Sequence, residues 1–164
     1  MEFPLDFSDS VRSIIARTAP FTMTSSERLA ALCESVQYIV RCGIPGDIVE
    51  CGVWRGGSIM AAAIQLLELG HTDRRLFLYD TFDGMTPPTD VDRDLLDRPA
   101  IELLQSSDRA TSHIWAVSPL DQVRQTVFST GYEQEKFVFV KGDVEVTLPL
   151  HAPENIALLR LDTD

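Results

Sequence analysis

An α/β fold built on a parallel sheet is the class this sequence predicts, and three observations predict it. Four short apolar runs, Asp47–Cys51, Leu76–Tyr79, Phe137–Lys141 and Ile156–Leu161, have the length of buried strands. Segments of helical period follow the first two of them. The runs are apolar almost throughout rather than alternating, as strands covered on both faces must be. Right-handed crossovers would then place helices on both faces, with any ligand beyond the carboxyl ends of the strands.

Taken in order, residues 1–22 carry Phe3, Phe7, Ile14, Ile15 and Phe21 among polar residues. They read as an N-terminal arm or short helix packing on the body or on a second copy, which makes self-association a candidate. Residues 23–164 read as the main domain. Thr24-Ser25-Ser26-Glu27 has the capping-box form with Thr24 as cap. Leu29, Leu32, Cys33, Val36, Ile39 and Val40 then recur at helical spacing until Gly43, Pro45 and Gly46 stop the helix. A second helix is expected over Ser58–Leu69, closed by Gly70. The second strand ends at Asp80. From Asp83 to Pro99 acids and prolines dominate, which predicts a long loop of the kind that serves as a lid or binding segment. Ser118-Pro119-Leu120-Asp121 opens a helix running to about Ser129, with proline in its favoured first position. The third and fourth strands are expected to follow one another directly.

The bulk numbers narrow the function. The chain has 164 residues, 45% of them hydrophobic, enough for one core. Acids outnumber lysine and arginine by 25 to 14, giving a net charge of −11. Such a surface repels phosphate backbones and anionic membranes, so neither nucleic acid nor membrane is expected as a partner. No apolar run approaches the ~20 residues of a membrane span, and the acidic N-terminus does not have the form of a secretory signal. Cys33, Cys42 and Cys51 match no zinc spacing and read as small buried hydrophobes of a reducing, cytoplasmic compartment.

The chemistry sits at the strand ends. The first strand runs into Glu50-Cys51-Gly52 and then Val53-Trp54-Arg55-Gly56-Gly57-Ser58; the others end at Asp80, Asp143 and Asp162. The glycine turn has neither the G-x-G-x-x-G spacing nor the G-K-[ST] of a P-loop, which disfavours a dinucleotide or nucleoside triphosphate. Its glycines would let a ligand approach the backbone closely. The start of the Ser58 helix could receive a carboxylate, Glu50 an ammonium group or a water, and Asp80 a ribose diol. Carboxylate, ammonium and ribose together describe S-adenosylmethionine, although a strand–glycine–helix turn on its own fits a generic α/β corner equally well.

The segments IPGDIVECGVWRGGS, LYDTFDGM, SSDRATSHIWAVSPLDQVRQ, STGY and HAPENIALLRLDTD, with the early MTSSERLAAL, resemble the macrocin O-methyltransferase family, whose members methylate sugar hydroxyls on macrolide and related natural products. The resemblance runs from about Met23 to Asp164. It implies a Rossmann-like methyltransferase sheet, S-adenosylmethionine, a divalent cation (usually magnesium) and a glycosylated small-molecule acceptor. Carried over residue by residue, it implies that Glu50, Gly52 and Ser58 belong to the methionyl pocket and that Asp80, Thr81 and Phe82 belong to the ribose region. Gly142, Asp143 and Val144 would lie by the adenine, and Met23, Thr24 and Ser25 would close over the cofactor. Asp162 would be a metal ligand and catalytic base. The family continues past Asp162-Thr163-Asp164, where a later acidic pair completes its metal site. On that reading the chain is the N-terminal part of a methyltransferase domain, truncated after the fourth strand and weak or inactive as it stands. The alternative is a non-catalytic remnant that binds cofactor or a partner chain.

Other residues read more plainly. His113 is expected as a structural histidine rather than a base near the acceptor, and His71 and His151 as loop residues. Trp54 is expected to pack in the core at its strand–helix corner. Asp90, Asp92, Asp94 and Asp97 resemble a calcium loop only loosely and read as a solvated segment.

Overall fold

The computed structural model describes residues 3–94, 96–108 and 113–163. Four strands, β1 (Asp47–Cys51), β2 (Leu76–Asp80), β3 (Phe137–Lys141) and β4 (Ile156–Leu161), form one sheet in the order β3-β2-β1-β4. Every pairing is parallel, with Glu50 opposite Leu78 on one side and opposite Arg160 on the other. The helices are α1 (Asp9–Thr18), α2 (Ser26–Arg41), α3 (Gly57–Glu68), α4 (Ala100–Gln105), α5 (Leu120–Phe128) and α6 (Val144–His151). This is the predicted α/β class, with strand positions matching those expected from the apolar runs.

Alternation along the strands divides the core. Ile48, Leu76, Leu78 and Phe137 face one side, where they pack with Val36 and Ile39 of α2, Ile59 and Leu66 of α3, and Val123 and Val127 of α5. Val49, Cys51, Phe77 and Tyr79 face the other, against Val144 and Leu148 of α6. Residues Gly57 to Leu66 of α3 are all buried, the polar Ser58 and Gln65 among them, as in a helix wedged between sheet and helices. Its outer side meets α1: Val11, Ile14 and Ile15 pack with Leu29, Cys33, Ala61 and Ile64. The arm's apolar face is therefore taken up within the chain itself.

Two local expectations are corrected. A helix, α6, separates β3 from β4, because these parallel strands lie at opposite edges of the sheet and need a crossover that a tight turn cannot supply. Pro149 inside α6 hid it, and Asp143 caps its start by accepting the Glu145 N–H at 2.9 Å. The cap of α2 is Ser25, one residue later than expected, its hydroxyl accepting the Arg28 N–H at 3.4 Å. The acidic segment turns its carboxylates on itself: Asp92 accepts from Thr89, and Asp94 accepts the N–H groups of Leu96 and Arg98.

Candidate functional site

The carboxyl ends of all four strands open into one cleft of about 830 Å³. Its floor is Glu50, Gly52 and Ser58; one wall is Tyr79–Thr81 with Gly142–Glu145; Asp162 and Thr163 close the far end. Thr22–Thr24 form a strap across the top, and residues 84–87 form the outer wall. The Met85 N–H donates to the Trp115 carbonyl at 2.9 Å, which fastens that wall to the segment before α5.

Met23, Thr24, Glu50, Gly52, Ser58, Asp80, Thr81, Gly142, Asp143, Val144 and Asp162 all line the cleft, so residues up to 139 positions apart in the numbering converge. Two expected residues do not. Ser25 spends its hydroxyl on capping α2. Phe82 is turned into the core, 2% exposed, with its ring 6.4 Å from that of Phe139. Trp54, expected in the core, is half-buried and lines the cleft, with the Arg55 guanidinium 4.6 Å from its ring centre. The side chain of His113, and Asp164 altogether, lie outside the described residues.

What the glycines admit at close range is the chain itself. Gly52 has φ +82°, and a methyl group there would sit 2.3 Å from the Asp162 carbonyl oxygen. The exits of β1 and β4 therefore touch backbone to backbone. A methyl on Gly57 would sit 2.7 Å from the Phe21 carbonyl, so the strap rests directly on the first turn of α3.

Glu50 is the most unusual group in the cleft. Its side chain is 2% exposed, with Oε1 2.9 Å from Nη1 of Arg160, whose other nitrogen donates to Asp162 Oδ2 at 2.8 Å. Burial pushes the Glu50 carboxyl up to about 8 against the opposing pull of Arg160, and the neighbouring charges of Asp162 and Asp80 push the same way as burial. Arg160 was not singled out in the sequence. Its role follows from the cross-strand register that sets it opposite Glu50, which neither residue's surroundings in the chain reveal.

Among the described residues, two buried polar atoms at the cleft have no hydrogen-bond partner, Glu50 Oε2 and Thr24 Oγ1. The first turn of α3 has no side-chain cap. An acceptor, a hydroxyl and a set of open N–H groups fit the ammonium and carboxylate of an amino-acid-bearing cofactor. A divalent cation fits less well. Among the described residues no three His, Cys, Asp or Glu side chains converge on a common point, and Asp162 already accepts from Arg160. Among the described residues, no helix is long and apolar enough to cross a membrane.

The macrocin-O-methyltransferase (TylF) family model matches residues 12–164. The 8-demethyl-8-(2,3-dimethoxy-alpha-L-rhamnosyl)-tetracenomycin-C 4'-O-methyltransferase of Streptomyces olivaceus is 35% identical over 144 residues, which are 87% of this chain and 52% of that protein. The mycinamicin III 3''-O-methyltransferase of Micromonospora griseorubida is 30% identical over 148 residues, 90% of this chain and 56% of that protein. Among solved structures, the O-methyltransferase NovP superposes with a TM-score of 0.70 at 28% identity, covering 88% of this chain and 56% of that one. The calicheamicin methyltransferase CalS11 shares the fold, with a TM-score of 0.56 at 18% identity over 99% of this chain and 69% of that one. The chain spans about half the length of the curated relatives it matches.

Proposed function

This chain belongs to the macrocin O-methyltransferase family, and we propose that its cleft holds S-adenosylmethionine for transfer of a methyl group to a sugar hydroxyl of a natural product. The observation that carries the reading is the convergence of Glu50, Asp80, Asp143 and Asp162 on one cleft that also contains two unpartnered buried polar atoms. The activities of the relatives support it, since one is a 4'-O-methyltransferase and another a 3''-O-methyltransferase.

When bound, the cofactor supplies an electrophilic methyl group on sulfur. The chain's own residues do the rest. Glu50 and the first turn of α3 receive the amino-acid end, and Thr24 covers it from the strap. Gly142, Asp143 and Val144 flank the adenine on the β3 side. Asp162, 48% exposed, takes the proton from the acceptor hydroxyl. Arg160 holds one Asp162 oxygen, which leaves the other for the acceptor and fixes the carboxylate's direction. Orienting the reacting groups in this way can supply several powers of ten in rate. Magnesium would take Asp162 as one oxygen ligand and would need others beyond those among the described residues. The acceptor is a glycosylated small molecule, and the work is done in the cytoplasm.

Calorimetry with S-adenosylmethionine and S-adenosylhomocysteine, each with and without magnesium, tests the reading. Saturable binding of both is the expected outcome. Absence of binding in all four titrations would refute it.

A further inference from the structure

We propose that Asp80 is a positioning residue whose carboxylate clamps the turn after β1 and so shapes the cleft, rather than a ligand that grips the ribose. The inference rests on the S-adenosylmethionine reading and deepens it. Asp80 Oδ2 accepts the Val53 N–H at 2.7 Å and the Trp54 N–H at 3.1 Å, and Oδ1 accepts the Phe82 N–H at 2.7 Å. A carboxylate offers about four acceptor positions, and three are already filled by backbone.

The identity of those donors matters. Trp54 has φ +48° and Phe82 has φ +53°. Bulky residues are strained in the left-handed region and persist there only where their surroundings hold them. The two strained aromatics follow two different strands, and both donate their N–H to the same carboxylate. Charge-assisted bonds are the stronger kind, so one side chain ties the exit of β1 to the exit of β2. With the turn held, Trp54 stands as a wall of the cleft and Phe82 is anchored in the core. The first turn of α3, which begins at Gly57, is aimed by the same turn.

Two measurements test this. In the ligand-free protein, amide hydrogen exchange is expected to be slow at Val53, Trp54 and Phe82. In Asp80→Asn it should become at least about tenfold faster at those three while Leu78 in β2 is unchanged. Calorimetry then compares S-adenosylhomocysteine with its 2′,3′-dideoxy analogue on both proteins. A positioning role weakens both ligands by the same factor in the variant, about tenfold or more. If the hydroxyls contribute to affinity in the wild type and contribute nothing in Asp80→Asn, the carboxylate touches the ribose and the proposal is overturned. Unprotected amides at Val53 and Trp54 in the wild type overturn it too, and that arm stands even where the variant does not fold. If the wild type binds neither ligand, the cofactor reading fails, and the exchange data alone decide the clamp.

Discussion

β1 and β4 lie side by side, yet they live in different solvents. Ile48 to Cys51 of β1 are all buried, whereas on β4 Leu159 is 44% and Leu161 is 64% exposed. The one charge on the buried run of β1, Glu50, is matched by Arg160 at the register position opposite, 18% exposed. A carboxylate taken out of water is expensive unless it is paired. Here the interior strand carries the acid, and the outer strand lends the cation from a place where it still touches solvent. The same arginine reaches on to Asp162, so the two acids expected at opposite ends of the reaction share one counter-ion.

The comparison can be broken most forcefully at Arg160. Arg160→Met leaves Glu50 buried without its partner, and removing one member of a buried pair costs about 3–5 kcal/mol. The loss is expected to be larger at pH 9 than at pH 5, where Glu50 carries a proton with or without its partner; urea unfolding at the two pH values measures it. Glu50 itself gives the next effect. Its folded-state affinity for a proton is raised to about 8 from an ordinary 4.5, so the folded protein binds the extra proton between those values. The contribution is therefore fully present below about pH 4.5 and is lost as pH rises through 8. Glu50→Gln should flatten that decline, and an unchanged slope in the variant would place its origin in another group. The smallest effect belongs to the exposed strand: Leu161→Ser should shift stability by no more than about 0.5 kcal/mol, read from the midpoint of thermal unfolding. A larger loss would mean that this side of β4 is covered.

The strands were legible because each is a short apolar run bounded by polar or glycine residues, and the cleft because every strand delivers an acid to the same edge. Both properties are local, and the parallel topology makes the second one spatial. What was not legible depends on distant register or on competing local signals. Arg160 reads as an interruption in NIALLRL until pairing places it against Glu50. α6 was hidden by Pro149, whose usual meaning is the end of a helix and here coincides with one. Phe82 and Trp54 exchanged their expected places, core for cleft, because both sit at left-handed backbone positions that redirect the side chain. Ser25 and Thr24 are both competent caps, and only the observed start of α2 at Ser26 separates them.

The partnership of Glu50 with Arg160 spans 110 positions of sequence, which bears on how the protein is made. A chain leaving the ribosome exposes β1, α3 and β2 well before β4 exists. Contacts so far apart are among the last to form. For that interval the nascent sheet ends at β1, and its carboxylate must wait, hydrated or holding a proton, until translation delivers the arginine that seals it.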